Sequence, residues 1–263
     1  MTDSVFDLGN DLVQKGDYGS AVDVYLNLVD DDLGNEQLQV NLGYACLRAG
    51  RSREGIDELE KFLEREGLPA VSFEFCVNLA LLYNASGETD SAFTLLGEAR
   101  KRDHAREEFY IALAAVQTGI RAYDDAMETY LEAQAECSES ANLHNHIGSF
   151  YNDVVGDHNL AVVHFAKALS IAPNDPAIHN NLGIARVALG NYSKAIESLS
   201  RSIEIDDEYF SAYHNLAVAL FNSGEYAKAA EVLDDGLRKF PDYAASHNFT
   251  EMRDEARELA EGH

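Results

Sequence analysis

Residues 176–209 read PAIHNNLGIARVALGNYSKAIESLSRSIEIDDEY, and residues 210–243 continue with FSAYHNLAVALFNSGEYAKAAEVLDDGLRKFPDY. Laid over one another, the two segments share Asn-Leu before a small residue (Gly183, Ala217), a central Gly (Gly190, Gly224) and a Tyr two places on (Tyr192, Tyr226). They also share a small-to-large step, Ala195 to Leu199 and Ala229 to Leu233. Working outward, the same pattern recurs about every 34 residues. It divides the chain into repeats 2–35, 36–72, 73–106, 107–140, 141–175, 176–209 and 210–243. Position 8 of each holds Gly9, Gly43, Ala80, Ala114, Gly148, Gly183 and Ala217. Position 20 holds Ala21, Gly55, Ala92, Ala126, Ala161, Ala195 and Ala229, and position 24 holds Tyr25, Leu59, Leu96, Tyr130, Phe165, Leu199 and Leu233.

Two antiparallel helices approach closely only where side chains are minimal, so positions 8 and 20 mark the crossing of helix A and helix B in each repeat. Large apolar residues at positions 4, 7, 11 and 24 fill the space around that crossing. Gly16, Gly50, Gly87, Gly156, Gly190 and Gly224 punctuate the turn between A and B, and Pro173 and Pro241 mark the ends of two B helices. A single repeat cannot bury its own apolar face, so such units fold by stacking. The small/small/large pattern resembles the tetratricopeptide repeat, a helix-turn-helix unit, over residues 2 to about 243. That resemblance implies an all-α fold: a right-handed superhelix, or α-solenoid, of seven repeats forming a single domain over residues 1–263. Residues 244–262, with Phe249, Met252, Ala256 and Leu259 on one stripe, are expected to form a C-terminal capping helix over the last repeat.

The period is imperfect in three places. The second repeat is longer because Gly67, Leu68 and Pro69 extend its exit loop. The fourth has an early Gly119 and is expected to take a longer turn through Ile120 to Tyr123. The fifth carries one extra residue near Val154 and Val155 in helix A.

Forty-six Asp and Glu against 20 Lys and Arg give a formal charge of −26. This balance excludes a general nucleic-acid surface, which needs clustered cations. The acidic, lysine-poor composition is similar to that of proteins from salt-rich cytoplasm, where carboxylates hold hydration; steering of a basic partner is the rival explanation. Asp30, Asp31, Asp32, Asp206, Asp207, Asp234 and Asp235 fall at helix-B ends or turns rather than on one patch, which favours solvation. One basic island, Arg100, Lys101, Arg102, His104 and Arg106, closes the third helix B, where the helix dipole favours cations. Residues 1–11 lack a basic then apolar leader pattern, and no apolar run approaches 18 residues, so a cytoplasmic protein without membrane insertion is expected. Cys46, Cys76 and Cys137 are scattered singly, with no CxxC, and read as reduced thiols.

No phosphate loop, dinucleotide fingerprint, HExxH, GxSxG or EF-hand loop occurs, and no catalytic residue or cofactor is expected. His144, His179 and His247 recur at position 4, but equivalent positions in adjacent repeats lie about 8–10 Å apart. A metal ligand must sit about 2 Å from its ion. No metal site is expected from them.

What remains is a binding surface. If positions 4, 7, 8 and 11 of helix A face the core, then at 100° per residue positions 2, 6, 9 and 13, flanked by 5 and 12, face a concave groove. Position 6 reads Asp7, Asn41, Asn78, Ala112, His146, Asn181 and Asn215. Asparagine is a mediocre helix former, so its recurrence on an open face asks for a reason. A carboxamide both donates to and accepts from the main chain of an extended peptide. The row is similar to the asparagine ladder in the repeats of O-GlcNAc transferase. Position 5 runs Phe6, Val40, Val77, Ile111, then Asn145, Asn180 and His214, and Tyr44 and Leu81 occupy position 9. The N-terminal half of the groove is therefore expected to be apolar and the C-terminal half rich in amides. The candidate peptide-binding residues are Asn41, Tyr44, Asn78, Leu81, Asn145, His146, Asn180, Asn181, His214 and Asn215. The family's carboxylate clamp for chaperone tails is missing, since position 5 holds no Lys and position 6 no Arg. The expected function is a non-enzymatic scaffold or adaptor that holds a protein or extended peptide. The alternatives are a regulatory subunit, a small-ligand sensor or a self-assembling scaffold.

Overall fold

The computed structural model describes residues 2–29, 34–103, 105–137, 139–241 and 248–262. Among these, the long elements are all α-helices and no strand occurs. The chain divides into two compact units, residues 1–138 and 139–263.

The first unit contains α1 (Thr2–Gln14), α2 (Tyr18–Val29), α3 (Glu36–Ala49), α4 (Ser52–Glu66), α5 (Phe73–Ala85), α6 (Thr89–Arg102), α7 (Glu107–Gly119) and α8 (Tyr123–Glu136). Each odd-numbered helix packs on the even-numbered one after it, and α1, α3 and α5 each also pack on the odd-numbered helix of the next repeat. Asn35 and Ser72 start α3 and α5 by accepting hydrogen bonds from the backbone N–H groups of Leu38 and Phe75, satisfying donors that a helix cannot pair internally. The core is built by Tyr25, Leu42, Leu59, Phe75, Leu79, Leu82 and Leu96, all fully buried.

The second unit contains α9 (Ala141–Phe150), a π-helical turn at Tyr151–Val155, α10 (His158–Ile171), α11 (Pro176–Ala188), α12 (Tyr192–Ile205), α13 (Phe210–Asn222), α14 (Tyr226–Lys239) and α15 (Phe249–Glu261). Small position-8 residues permit the close crossings. A Cβ at Gly183 would sit 2.4 Å from Leu199 Cγ, and one at Gly148 would sit 2.7 Å from the Phe165 ring. The last helix, α15, packs on α14. Phe249 and Ala256 are buried there, Met252 is half-buried, and Leu259 stays exposed. The start of the expected cap, residues 244–247, and the acids Asp30, Asp31 and Asp32 lie outside the described residues.

The irregularities resolve physically. The extended loop of the second repeat forms a 3-10 turn, Leu68–Ala70, tied down by Arg102, which donates to the carbonyls of Leu68 (2.6 Å) and Val71 (2.9 Å). The extra residue of the fifth repeat is absorbed by the π-helical turn, the usual way an α-helix takes up one insertion. The fourth repeat does not lengthen its turn. Six repeats place a glycine with φ between 70° and 83° at this point, and here Arg121 adopts φ 63° instead, keeping the turn at the common length. A side chain in the left-handed region is strained, and this is why glycine recurs in the other copies.

Candidate functional site

A cavity of about 590 Å³ opens on the face of the first unit formed by α1, α3 and α5. Its apolar walls are Phe6, Val13, Tyr25, Val40, Tyr44, Phe73 and Val77, and amides from Asn10, Gln14, Gln37, Asn41 and Asn78 are set between them. The repeat explains much of this composition: position 5 of α1, α3 and α5 supplies Phe6, Val40 and Val77, and position 6 of α3 and α5 supplies Asn41 and Asn78.

The amides are held by one another. Tyr25 donates from its hydroxyl to Asn10 Oδ1 (2.8 Å), Asn41 Nδ2 donates to the same oxygen (2.8 Å), and Gln37 Nε2 donates to Asn41 Oδ1 (2.8 Å). Asn78 Nδ2 donates to the Val40 carbonyl (2.9 Å). Burial raises the Tyr25 hydroxyl above its ordinary pKa, partly offset by the Asn41 hydrogen bond. Tyr44, 40% exposed, stands at the mouth with its ring edge-on to Tyr18 (6.1 Å), whose face carries Arg48 (5.0 Å). Its hydroxyl is also raised, first by burial and then by Tyr18. At the other end Arg106 lies over the Phe73 ring (4.2 Å) and pairs with Glu74 (2.5 Å) and Glu108 (3.1 Å). The Arg106 hydrogen bond holds the Glu74 carboxyl below the usual carboxylate range.

Of the residues expected to bind peptide, Asn41, Tyr44 and Asn78 line this cavity, whereas Leu81 is half-buried outside it. Ile111, expected to extend the apolar half, also lies outside the lining, and Val77 is buried rather than open. In the second unit the amides form a chain across three helices. Asn215 Nδ2 donates to Asn180 Oδ1 (2.8 Å), Asn180 Nδ2 to Asn181 Oδ1 (3.4 Å) and Asn181 Nδ2 to Asn145 Oδ1 (3.0 Å). Asn180 was expected on the open face, but it is only 3% exposed because α13 packs over that side of α11. His214, also expected there, stacks on Phe249 of α15 (5.8 Å), and His146 is half-buried on α9. The position-6 amides therefore join one repeat to the next, a role that their spacing in sequence does not reveal.

The other candidate chemistry is accounted for. His144 is buried with Nδ1 3.2 Å from His164 Nδ1, and Tyr151 stacks on His164 (5.5 Å). His179 Nε2 lies 2.9 Å from the Pro173 carbonyl, while His247 and His104 fall outside the described residues. Among the described residues, no three His, Cys, Asp or Glu side chains gather at metal-binding distance. Gln39 Oε1 and His144 Nε2 are buried without a hydrogen-bond partner, and both residues occupy position 4, where the pattern calls for an apolar side chain. All three cysteines are free thiols; burial pushes Cys46 up to about 12 and Cys76 up to about 11, so neither is a ready nucleophile. The basic island is consumed locally: Lys101 pairs with Glu98, Arg102 binds the 3-10 turn, Arg106 pairs with Glu74 and Glu108, and Arg100 lies over Phe109. No helix among the described residues is long and apolar enough to cross a membrane.

A tetratricopeptide repeat profile matches residues 6–69, and a second matches residues 155–217 and 187–251, together more than half of the chain. The chain belongs to the tetratricopeptide repeat family. No curated protein matches the sequence. Among solved structures, a chain of the APC/C hetero-tetramer Cut9–Hcn1 is 18% identical with a TM-score of 0.66, the match covering 94% of this chain and 48% of that one. The present chain thus spans about half the length of that relative. YrrB, described as a TPR protein with an unusual peptide-binding site, is 20% identical with a TM-score of 0.51, over 72% of this chain and 96% of its own. A tetratricopeptide repeat protein from Parabacteroides merdae is 16% identical with a TM-score of 0.60, over 97% of this chain and 98% of its own. At these identities the likeness establishes the shared fold.

Proposed function

We propose that this family member is a non-catalytic cytoplasmic interaction module that holds a segment of a partner protein on its A-helix faces, with the cavity below Tyr44 as the principal seat. The observation that carries this reading is the cavity itself: an apolar floor of Phe6, Val40 and Val77 walled by oriented amides. That is the composition of sites that desolvate a side chain while fixing its orientation by a few polar groups. Family membership supports the reading, as does the likeness to YrrB, itself described as peptide-binding. Asn41, Asn78, Tyr44 and Leu81 would contact the segment in the first unit. Half-buried Asn145, Asn181 and Asn215, with His146 beside them, would form a second, amide-rich contact row, each amide offering an N–H not already bonded to its neighbour, while buried Asn180 and the stacked His214 support it from behind.

A photocrosslinking amino acid at Tyr44, irradiated in native cell extract at the salt concentration of its cytoplasm, tests this. The expected result is a discrete protein adduct at Tyr44 that a control position at exposed Lys194 does not give. A cavity of about 590 Å³ is also in the range of small-molecule sites, which favours the sensor alternative as the second reading. A small molecule retained in native mass spectra, with no protein adduct at Tyr44, would decide for the sensor.

A further inference from the structure

The A helices of the two units differ in charge. In the second unit α9, α11 and α13 contain no Asp or Glu at all, in a chain whose formal charge is −26. In the first unit α1, α5 and α7 place acids at or beside the cavity. Glu74 and Glu108 line it, and exposed Asp7 takes on α1 the register that Asn41 and Asn78 take on α3 and α5. The one cation lining the cavity, Arg106, is already shared between Glu74 and Glu108 and stacked on Phe73. Solvation alone does not explain the acids, because the second unit dispenses with them on its A helices. Nor do they hold the fold together, since both glutamates are about half exposed at 47% and 48%.

We propose that the cavity is a receptor for a cationic amphipathic segment. One bulky aliphatic or aromatic side chain of the partner seats against Phe6, Val40 and Val77, and Lys or Arg residues beside it pair with Asp7, Glu74 and Glu108. The inference rests on the groove reading above and adds the chemistry of the occupant. Apolar burial supplies the affinity. The carboxylates select the charge of the flanks, because an acidic segment would meet a Glu74–Arg106–Glu108 cluster that keeps one net negative charge, exposed Asp7 and the field of the whole chain.

Four fluorescein-labelled eleven-residue peptide pools, each long enough for about three helical turns, test it against the whole chain. The central residue is Leu or Ser, its two neighbours on each side are all Lys or all Glu, and the remaining positions are mixtures of Gly, Ala, Ser and Thr. Fluorescence anisotropy is read at 0.15 M and 1 M KCl. The Leu/Lys pool is expected to bind at least about tenfold more tightly than either the Leu/Glu or the Ser/Lys pool, and to weaken at the higher salt. The Glu74→Gln, Glu108→Gln double variant should lose about fivefold toward the Leu/Lys pool and gain toward Leu/Glu. Tyr44→Ala should weaken both Leu pools with the helical circular dichroism unchanged. Equal or tighter binding of Leu/Glu would overturn the charge inference and leave the groove reading standing. Binding of Ser/Lys as tight as Leu/Lys would mean ion pairing without a seated side chain and would overturn the receptor. If no pool binds, the inference falls together with the groove.

Discussion

Replacing Asn215 by Ala removes the donor to Asn180 Oδ1, an amide only 3% exposed whose remaining bond to Asn181 is long at 3.4 Å. The acceptor is left buried, with no donor supplied from α13. Orphaning a buried polar group costs about 1–3 kcal/mol, and the better helix propensity of Ala returns about 0.5 kcal/mol, so a net loss of about 0.5–2.5 kcal/mol is expected. Asn78→Ala is the internal control. Its amide donates to the Val40 carbonyl, a group inside α3 that the helix itself can satisfy, and its loss should be about 0.5 kcal/mol or less. Urea unfolding followed by circular dichroism at 222 nm gives both values, provided that the slope of the transition is unchanged. A cycle with Asn180→Ala isolates the pair: the double variant should be less destabilised than the sum of the singles by about 0.5 kcal/mol or more. A coupling energy within about 0.3 kcal/mol of zero would refute the repeat-to-repeat amide bond as an energetic feature.

The remaining expectations concern packing, pH and salt. Gly183→Ala should destabilise by about 1 kcal/mol, because its Cβ meets the branching carbon of Leu199 at 2.4 Å, whereas Gly43→Ala, 3.0 Å from a terminal methyl of Leu59, should be neutral or stabilising; equal urea midpoints would contradict this. His144 and His164 are both held below the ordinary histidine range, His144 by burial and then Lys167, and His164 by burial and then His144. The unfolded chain therefore takes up protons first as pH falls below about 6.5, and the stability carried by the neutral pair, intact above that, drains away on acidification. His144→Leu should flatten the decline between about pH 7 and 5 relative to the parent, and parallel slopes would remove the pair from the account. If the carboxylate excess serves solvation at high salt, the melting temperature should rise from dilute buffer toward molar KCl as self-repulsion is screened; a flat or falling trend would argue against that use of the charge.

The helix starts were legible because the repeat is a packing code. Position 8 must be small where Tyr25, Phe165 or Leu199 crosses, and such a constraint is written in one residue and repeats. The turn of the fourth repeat departs from what Gly119 suggests, because Arg121 carries there the left-handed conformation that glycine carries in the other copies. The apolar half of the site could be anticipated from position 5, since Phe6, Val40 and Val77 share a register. The burial of Asn180 and the stacking of His214 on Phe249 could not, because helical phase gives a direction and not what stands there. Both residues are covered by elements that follow them in the chain, α13 and α15.

The amide contacts bear on how the two A-helix faces can be used. A carboxamide has two N–H bonds and one carbonyl, and Asn181 and Asn215 each already commit one N–H to the preceding repeat. A partner main chain that accepted from the free N–H would leave these bonds intact and find the side chains already oriented, so little ordering entropy would oppose it. A partner that competed for the committed N–H would instead have to orphan Asn180 Oδ1, at about 1–3 kcal/mol for a buried acceptor, or Asn145 Oδ1, at less because that amide is half-buried. The first mode leaves stability and binding additive, whereas the second couples them with opposite sign. A ligand of the second unit that protects the chain against urea in the parent, and protects Asn215→Ala equally well, does not draw on the Asn215 amide at all.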